Sequence, residues 1–429
     1  MKKLLACVFL VTAASLPLLG ERFYWRVAKD ESYRITSYVH EERYLNGKSL
    51  GTVEIRNKAV LHATAVSNTN AALYKGEFQY FERPADTKEQ AYALIETYPT
   101  EFWRDIYGKY SIHPEIFMPV VRDVPLFTKQ DIAPGAVWQA EGHEVHDLKG
   151  FGLERAFRIP FTARYRYIGE RTIEGKRIAL FSIMYNCNRE SGIDIIRYTQ
   201  EARSQLERLR PGSEEAAEFR NKTMQDLERL MTAPRQVQAA CRQYYAWDIA
   251  ARLPYSLTEE FHFIFDLING ERYEFKGTAE SSFEQIQTLE EREAEQIVEA
   301  LRDEGVTVSR DERGIVLELG DILFDHDSAN LRPDARAKLA EISKRINTSG
   351  KFEVRVEGHT DNTGAADYNL QLSQNRARAV AAFLSRALDT DPRNISWIGH
   401  GMTRPSTSNS TEAGRAKNRR VEIILLTNE

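Results

Sequence analysis

"EGHTDNTGAADYNLQLSQNRARAV", residues 357–380, decides how the last third of this chain is read. The residues leading into it, Phe352-Glu353-Val354-Arg355-Val356-Glu357, alternate apolar and charged with period two, the mark of a half-buried strand. Asp361 therefore falls just past a strand end. From about Ala366 the pattern turns helical, and Asn369, Leu372 and Arg376 stand at i, i+3 and i+7, on one strip of a helix. A carboxylate acceptor and a guanidinium donor are thus expected to face one cavity.

On either side of this stretch, strands alternate with helices. "GIVLELGDILF" reads as a strand pair or one long strand, "PDARAKLAEISKRINTS" as a helix opened by Pro333, and "KFEVRVEGH" as a strand. After the helix of the opening stretch come the strand "ISWIGHG", a short helix "EAGRAKNRR" and a closing strand "VEIILL". Such alternation implies a small sheet covered by helices. The expected unit spans 310–429.

Residues 21–285 read differently, as strands separated by turns. Asn46-Gly47, Glu174-Gly175 and Asn269-Gly270 each separate two alternating runs, the strongest short-range hairpin signal, and Pro134-Gly135 enters a further strand at Trp138. A segment from about 194 to 240, rich in Glu, Arg, Gln and Leu and divided by Pro211-Gly212, is expected as a helical hairpin inserted into this β domain. The β pattern is expected to resume at Tyr244. A charged helix within 286–309 then connects the two parts, so the fold class is α+β: an antiparallel β-rich domain with a helical insertion, followed by a βαβαβ domain.

The chain has 429 residues, which at ~100–200 residues per domain suggests two or three domains. Its formal net charge is −5 with both signs interspersed, so it lacks the basic stripe of a nucleic-acid binder. Lys2 and Lys3 precede an apolar run from Leu4 to Leu19, the pattern of a secretory signal over residues 1–20, and the run falls short of the roughly 20 residues a spanning helix needs. Cys7 lies in that run. Beyond it stand Cys187 and Cys241, which an oxidising compartment would join as one disulfide; two separate buried thiols are the alternative.

Five ordered segments, "ILFDHDSANL", "VEGHTDNTG", "YNLQLSQNRARAV", "GHGMTRP" and "GRAKNRRVEI", make residues 310–429 resemble an OmpA-like peptidoglycan-binding domain. The resemblance implies a βαβαβ sandwich that holds the stem peptide of the cell wall, typically through diaminopimelate or a similar diamino acid. Carried over by position, Asp361 would accept from the ammonium end and Arg376 would bind the carboxylate. Asn369, Leu372 and Arg419 would line the site, with Phe324 and Asp325 beside them. The physical reading agrees, since a zwitterionic side chain needs an acceptor and a planar cation held apart, and a guanidinium fork bonds both carboxylate oxygens.

Other chemistry finds little support in the sequence. "NGKS" at 46–49 is the hairpin turn, since the earlier Gly of a phosphate loop would fall at Glu42; "GFGLER" at 150–155 ends in Arg155 where a dinucleotide fingerprint needs Gly. His143 and His146 have no third metal ligand in view, His326 lies between two aspartates as an ordinary substitution, and His359 reads as hydrogen-bonded structure. With no nucleophile elbow or triad, no enzyme, cofactor or metal is expected. The expectation is a non-catalytic envelope protein, secreted to the periplasm or outer membrane, that grips peptidoglycan. Its N-terminal β domain would be soluble, with outer-membrane proteins or lipid as further partners. The alternatives are a porin-like outer-membrane barrel tethered to the wall and a motor stator component.

Overall fold

The structure, a computed structural model, describes residues 20–87, 91–149, 156–286, 291–302, 306–320, 323–325, 327–350 and 352–426. The expected signal segment with Cys7, the stretch 150–155 and His326 lie outside the described residues.

Twelve antiparallel strands make up the first part: β1 (Ser32–Leu45), β2 (Lys48–Val66), β3 (Ala71–Pro84), β4 (Tyr92–Asp105), β5 (Tyr110–Ile112), β6 (Val121–Arg122), β7 (Val137–His146), β8 (Phe157–Ile173), β9 (Lys176–Glu190), β10 (Pro234–Asp248), β11 (Leu253–Leu267) and β12 (Arg272–Ile286). They pair in the order β5-β4-β3-β2-β1-β12-β11-β10-β9-β8-β7-β6, so β12 returns to lie beside β1. The β1–β2 turn places Asn46 at φ 52° and Gly47 at φ 79°, the two positive values of a type I′ turn whose twist matches that of the strands. Glu174 (φ 51°) and Gly175 (φ 78°) repeat it between β8 and β9.

Strand alternation decides what lies inside. On β8, Ile159, Phe161, Ala163, Tyr165 and Tyr167 are buried, while Thr162, Arg164 and Arg166 face outwards. The buried row packs on Phe23, Trp25 and Phe127, which enter from the segments outside the strands. Trp25 meets Trp247 edge to face at 4.8 Å. Aromatic contacts of this kind add roughly 0.5–1.5 kcal/mol each beyond the burial itself.

Between β9 and β10 stand α1 (Ile195–Leu206) and α2 (Glu214–Met231), capped by the side chains of Asp194 and Ser213. The helical hairpin is present, but it ends before the expected residue 240, and β10 begins at Pro234 rather than near Tyr244. Gln236, Gln238 and Ala240 carry little β signal; the strand is set by Val237, Ala239 and Cys241, whose side chains are buried in the core.

The expected disulfide is absent: Cys187 and Cys241 are free, buried thiols. Cys187 stands opposite Ala239 and Cys241 opposite Tyr185, so the two cysteines are diagonal neighbours across β9 and β10. Diagonal positions lie about 7–8 Å apart, beyond the usual reach of a disulfide. Burial, with the Glu144 carboxylate nearby, pushes the Cys187 thiol up to about 12.

The C-terminal part comprises α3 (Glu291–Leu301), β13 (Thr307–Asp311), β14 (Gly314–Leu319), α4 (Pro333–Ser349), β15 (Glu353–Gly358), α5 (Ala366–Ala387), β16 (Ile395–Gly399), α6 (Glu412–Asn418) and β17 (Val421–Leu426). Its sheet runs β13-β14-β17-β15-β16, with β15 and β16 parallel and the other pairs antiparallel. Leu317, Val356 and Ile423 from the sheet pack on Leu339 and Ile342 of α4 and on Ala377 and Leu384 of α5. Ile297 and Leu301 join this core, so the helix expected as a connection is packed into the C-terminal part.

The two parts touch along charged side chains. Lys58 Nζ lies 2.7 Å from Glu353 Oε2 and Arg56 Nη2 lies 3.2 Å from Glu353 Oε1. Arg56 also donates to the Arg393 carbonyl at 2.6 Å, and β16 pairs with β4 at Ser396–Tyr92 and Trp397–Ala93. The charged residues of β2 are therefore covered here, with Arg56 and Lys58 only 1% and 2% exposed.

Candidate functional site

Asp361 sits on the loop that leaves β15, where the sequence places it. Two bonds fix its carboxylate: Oδ1 accepts from the Thr363 backbone N–H at 2.8 Å and Oδ2 accepts from Arg419 Nη1 at 2.8 Å. Burial pushes the group up, but the bonds from Arg419 and Thr363 outweigh it and hold the carboxyl below the ordinary range. An ionised acceptor is the result.

The helix α5 links this loop to the predicted cation. Asn369 is buried in its first turn and donates through Nδ2 to the Thr363 carbonyl at 2.8 Å, so the loop carrying Asp361 is tied to the helix. Arg376 follows seven residues later on the same strip, a rise of about 10 Å. Arg376 is 5% exposed, and its guanidinium donates through Nε to the Ser328 carbonyl at 2.9 Å and through Nη2 towards the Asp325 carbonyl at 3.4 Å. The Phe324 ring lies beneath, 5.3 Å from the guanidinium carbon, within cation–π range. Arg376 is thus presented by the 324–328 segment.

Asp361 contacts Arg419 and is tied through Thr363 to Asn369, and Arg376 contacts Phe324 and Asp325, with two refinements to the expectation. Asp325 meets Arg376 through its backbone oxygen, and its side chain is exposed; Arg419 is shared, since its Nη2 also reaches Glu412 at 3.1 Å. Leu372 is half-buried on the helix strip. Sequence reasoning missed Thr363 and Ser328, whose contributions are backbone groups, and the bond from the Tyr368 hydroxyl to Asp327 that pins α5 to the same loop. Nothing in a residue pattern marks a backbone donor; Tyr368, beside Asn369, was the one legible sign.

A charged cluster underlies the site. Glu357, on β15, lies 3.0 Å from each of Arg313, Arg355 and His400, and Glu422 lies 2.8 Å from both Arg313 and Arg420. Glu357, His359 and His400 are residue types that bind metals and stand close together. The surrounding guanidiniums argue against a cation, because they already occupy the carboxylates and repel further positive charge. Burial and the neighbouring Arg420 hold His359 neutral, with its pKa near 2. The cluster reaches His359, two residues before Asp361 in the chain.

The C-terminal part thus combines a mixed sheet with an ionised carboxylate at a strand end and a buried guanidinium on the following helix. The family model described as OmpA family matches residues 323–419. The outer-membrane lipoprotein YfiB of Pseudomonas aeruginosa is 39% identical over 144 residues, covering 34% of this chain and 77% of that protein. The probable lipoprotein YiaD of Escherichia coli is 39% identical over 127 residues, covering 29% of this chain and 57% of that protein. The peptidoglycan-binding protein ArfA of Mycobacterium tuberculosis is 39% identical over 107 residues, covering 25% of this chain and 32% of that protein. The chain belongs to the OmpA family.

Proposed function

We propose that the C-terminal part binds the stem peptide of peptidoglycan without covalent chemistry and anchors the N-terminal β part, as a separate domain, to the cell wall. The observation that carries this reading is the pairing of an ionised Asp361 with a helix-borne Arg376 on either side of Asn369. Asp361 accepts from the ammonium of a diamino acid, and Arg376 binds the carboxylate on the same carbon. Asn369, Leu372 and Arg419 line the space between, and Phe324 and the Asp325 backbone hold Arg376 in place. ArfA, a peptidoglycan-binding protein similar to this part of the chain, supports the same ligand. Charge-assisted bonds of this kind contribute roughly 1.5–3 kcal/mol each, and a polymer presenting the same stem many times retains the protein by rebinding.

The N-terminal β part is read as a soluble envelope domain rather than a lipid-facing barrel. Charged Arg164 and Arg166 lie on the outward face of β8, where a barrel needs an apolar band, and part of the outer face of β2 is taken up by Glu353. Extraction of the protein from cells by salt or urea without detergent, with no heat-modifiable migration, is the expected outcome; a need for detergent favours the barrel.

The ligand is tested by titrating stem peptides that differ at the third residue. A diaminopimelate peptide has the carboxylate that Arg376 needs, and a lysine peptide lacks it. At least tenfold tighter binding of the former is expected, and equal binding refutes the assignment.

A further inference from the structure

The N-terminal β part holds a cationic cavity that the wall-binding function does not use. Arg104, on β4, is 7% exposed and packs its guanidinium between two rings, 3.7 Å from the Trp25 centroid and 4.7 Å from that of Tyr74. Its Nη2 donates to the Tyr74 hydroxyl at 3.0 Å. Among the described residues no carboxylate pairs with it. A guanidinium taken out of water without a counter-charge is costly, by several kcal/mol per ion in general terms, so an unpaired one beside open space calls for an anion.

That space is present. Arg104 lines a cavity of about 50 Å³ with Arg34, Glu284 and the apolar side chains of Ile35, Leu61 and Leu253. The Nε of Arg34 is buried and has no hydrogen-bond partner, and its Nη1 stands 3.6 Å from Glu284. Arg34 and Glu284 stand opposite each other on β1 and β12 and alternate with Ile35 and Phe283, so their side chains leave on the other face of the sheet and Arg104 supplies the cavity's positive charge. Tyr33 also lines the cavity, and its hydroxyl donates to Glu31.

We propose that this cavity binds a small organic monoanion, a carboxylate on a short apolar body, with the carboxylate on Arg104 and the body against Ile35, Leu61 and Leu253. A guanidinium edge matches a carboxylate with two parallel N–H···O bonds. The small volume excludes sugars and nucleotides. The apolar wall distinguishes an organic acid from an inorganic ion.

Calorimetric titration of the full-length protein with butyrate, at constant chloride, tests this directly. Saturable binding of butyrate, at least tenfold tighter than that of the isosteric but uncharged butyramide, is expected. Arg104→Gln is expected to lower butyrate affinity at least tenfold without changing retention on sacculi. Should that variant fail to fold, Leu253→Trp, which fills the cavity without altering a charge, is expected to abolish butyrate binding. Equal affinity for butyrate and butyramide, binding of neither, or undiminished butyrate binding by a folded variant overturns the proposal.

Discussion

Arg419 Nη1 lies 2.8 Å from Asp361 Oδ2, so the carboxylate proposed to receive the ligand's ammonium already has one cation beside it. The pair keeps Asp361 ionised and, through Glu412, fixes where Arg419 sits. A carboxylate has about four lone-pair sites, and these two bonds leave room for an ammonium. If Arg419 is what holds the carboxyl below its ordinary range, Arg419→Gln moves the acid limit of wall binding to higher pH. Pull-down on sacculi from about pH 2 to about pH 6, which brackets the ordinary aspartate value of about 3.9, reads the shift, and an unmoved acid limit would show that Arg419 does not govern Asp361.

Glu353 ties the two parts together and has a pH signature. Burial pushes its carboxyl up, but Lys58 and Arg56 pull it below that to about 2, against an ordinary value of 4.5. Because the folded value is depressed, the stabilisation is fully present above about pH 4.5 and is lost as pH falls towards 2. Across that window it amounts to about 3 kcal/mol. Glu353→Gln is expected to lower Tm at pH 7 and to flatten the fall in Tm below pH 4.5, because it removes the carboxylate charge from between two buried cations. A wild-type acid slope in the variant would refute the coupling.

The thiols of Cys187 and Cys241 are expected to resist iodoacetamide at pH 8 in the native protein, because burial holds both protonated. After denaturation without reductant, both should alkylate fully. A peptide map showing them joined would contradict the structure.

Much of this was legible in the sequence, for reasons that differ by element. The turns at Asn46-Gly47 and Glu174-Gly175 announced themselves because a two-residue loop needs positive φ at both positions. Asp361 and Arg376 were readable because strand and helix periods fix where they fall relative to each other. Period does not report what lies across a face: Arg56 and Lys58 look like solvated charges until Glu353 is seen opposite them. The start of β10 was hidden by alanine and glutamine, and the cysteine pairing depended on a register offset of two residues between β9 and β10, which no local signal encodes. Arg104 gave no sign, since its neighbours Trp25 and Tyr74 are brought to it by the folding of distant segments.

The central claim is tested most directly by co-sedimentation of the protein with purified sacculi, comparing wild type with Asp361→Ala and Arg376→Ala after circular dichroism has established that each variant is folded. Each substitution leaves one charged end of the ligand unpaired in a desolvated site, a loss of about 1.5–3 kcal/mol or roughly ten- to a hundredfold in affinity. Wild type is expected to pellet with the wall and both folded variants to stay in the supernatant. Pelleting of both folded variants at the wild-type level would contradict it.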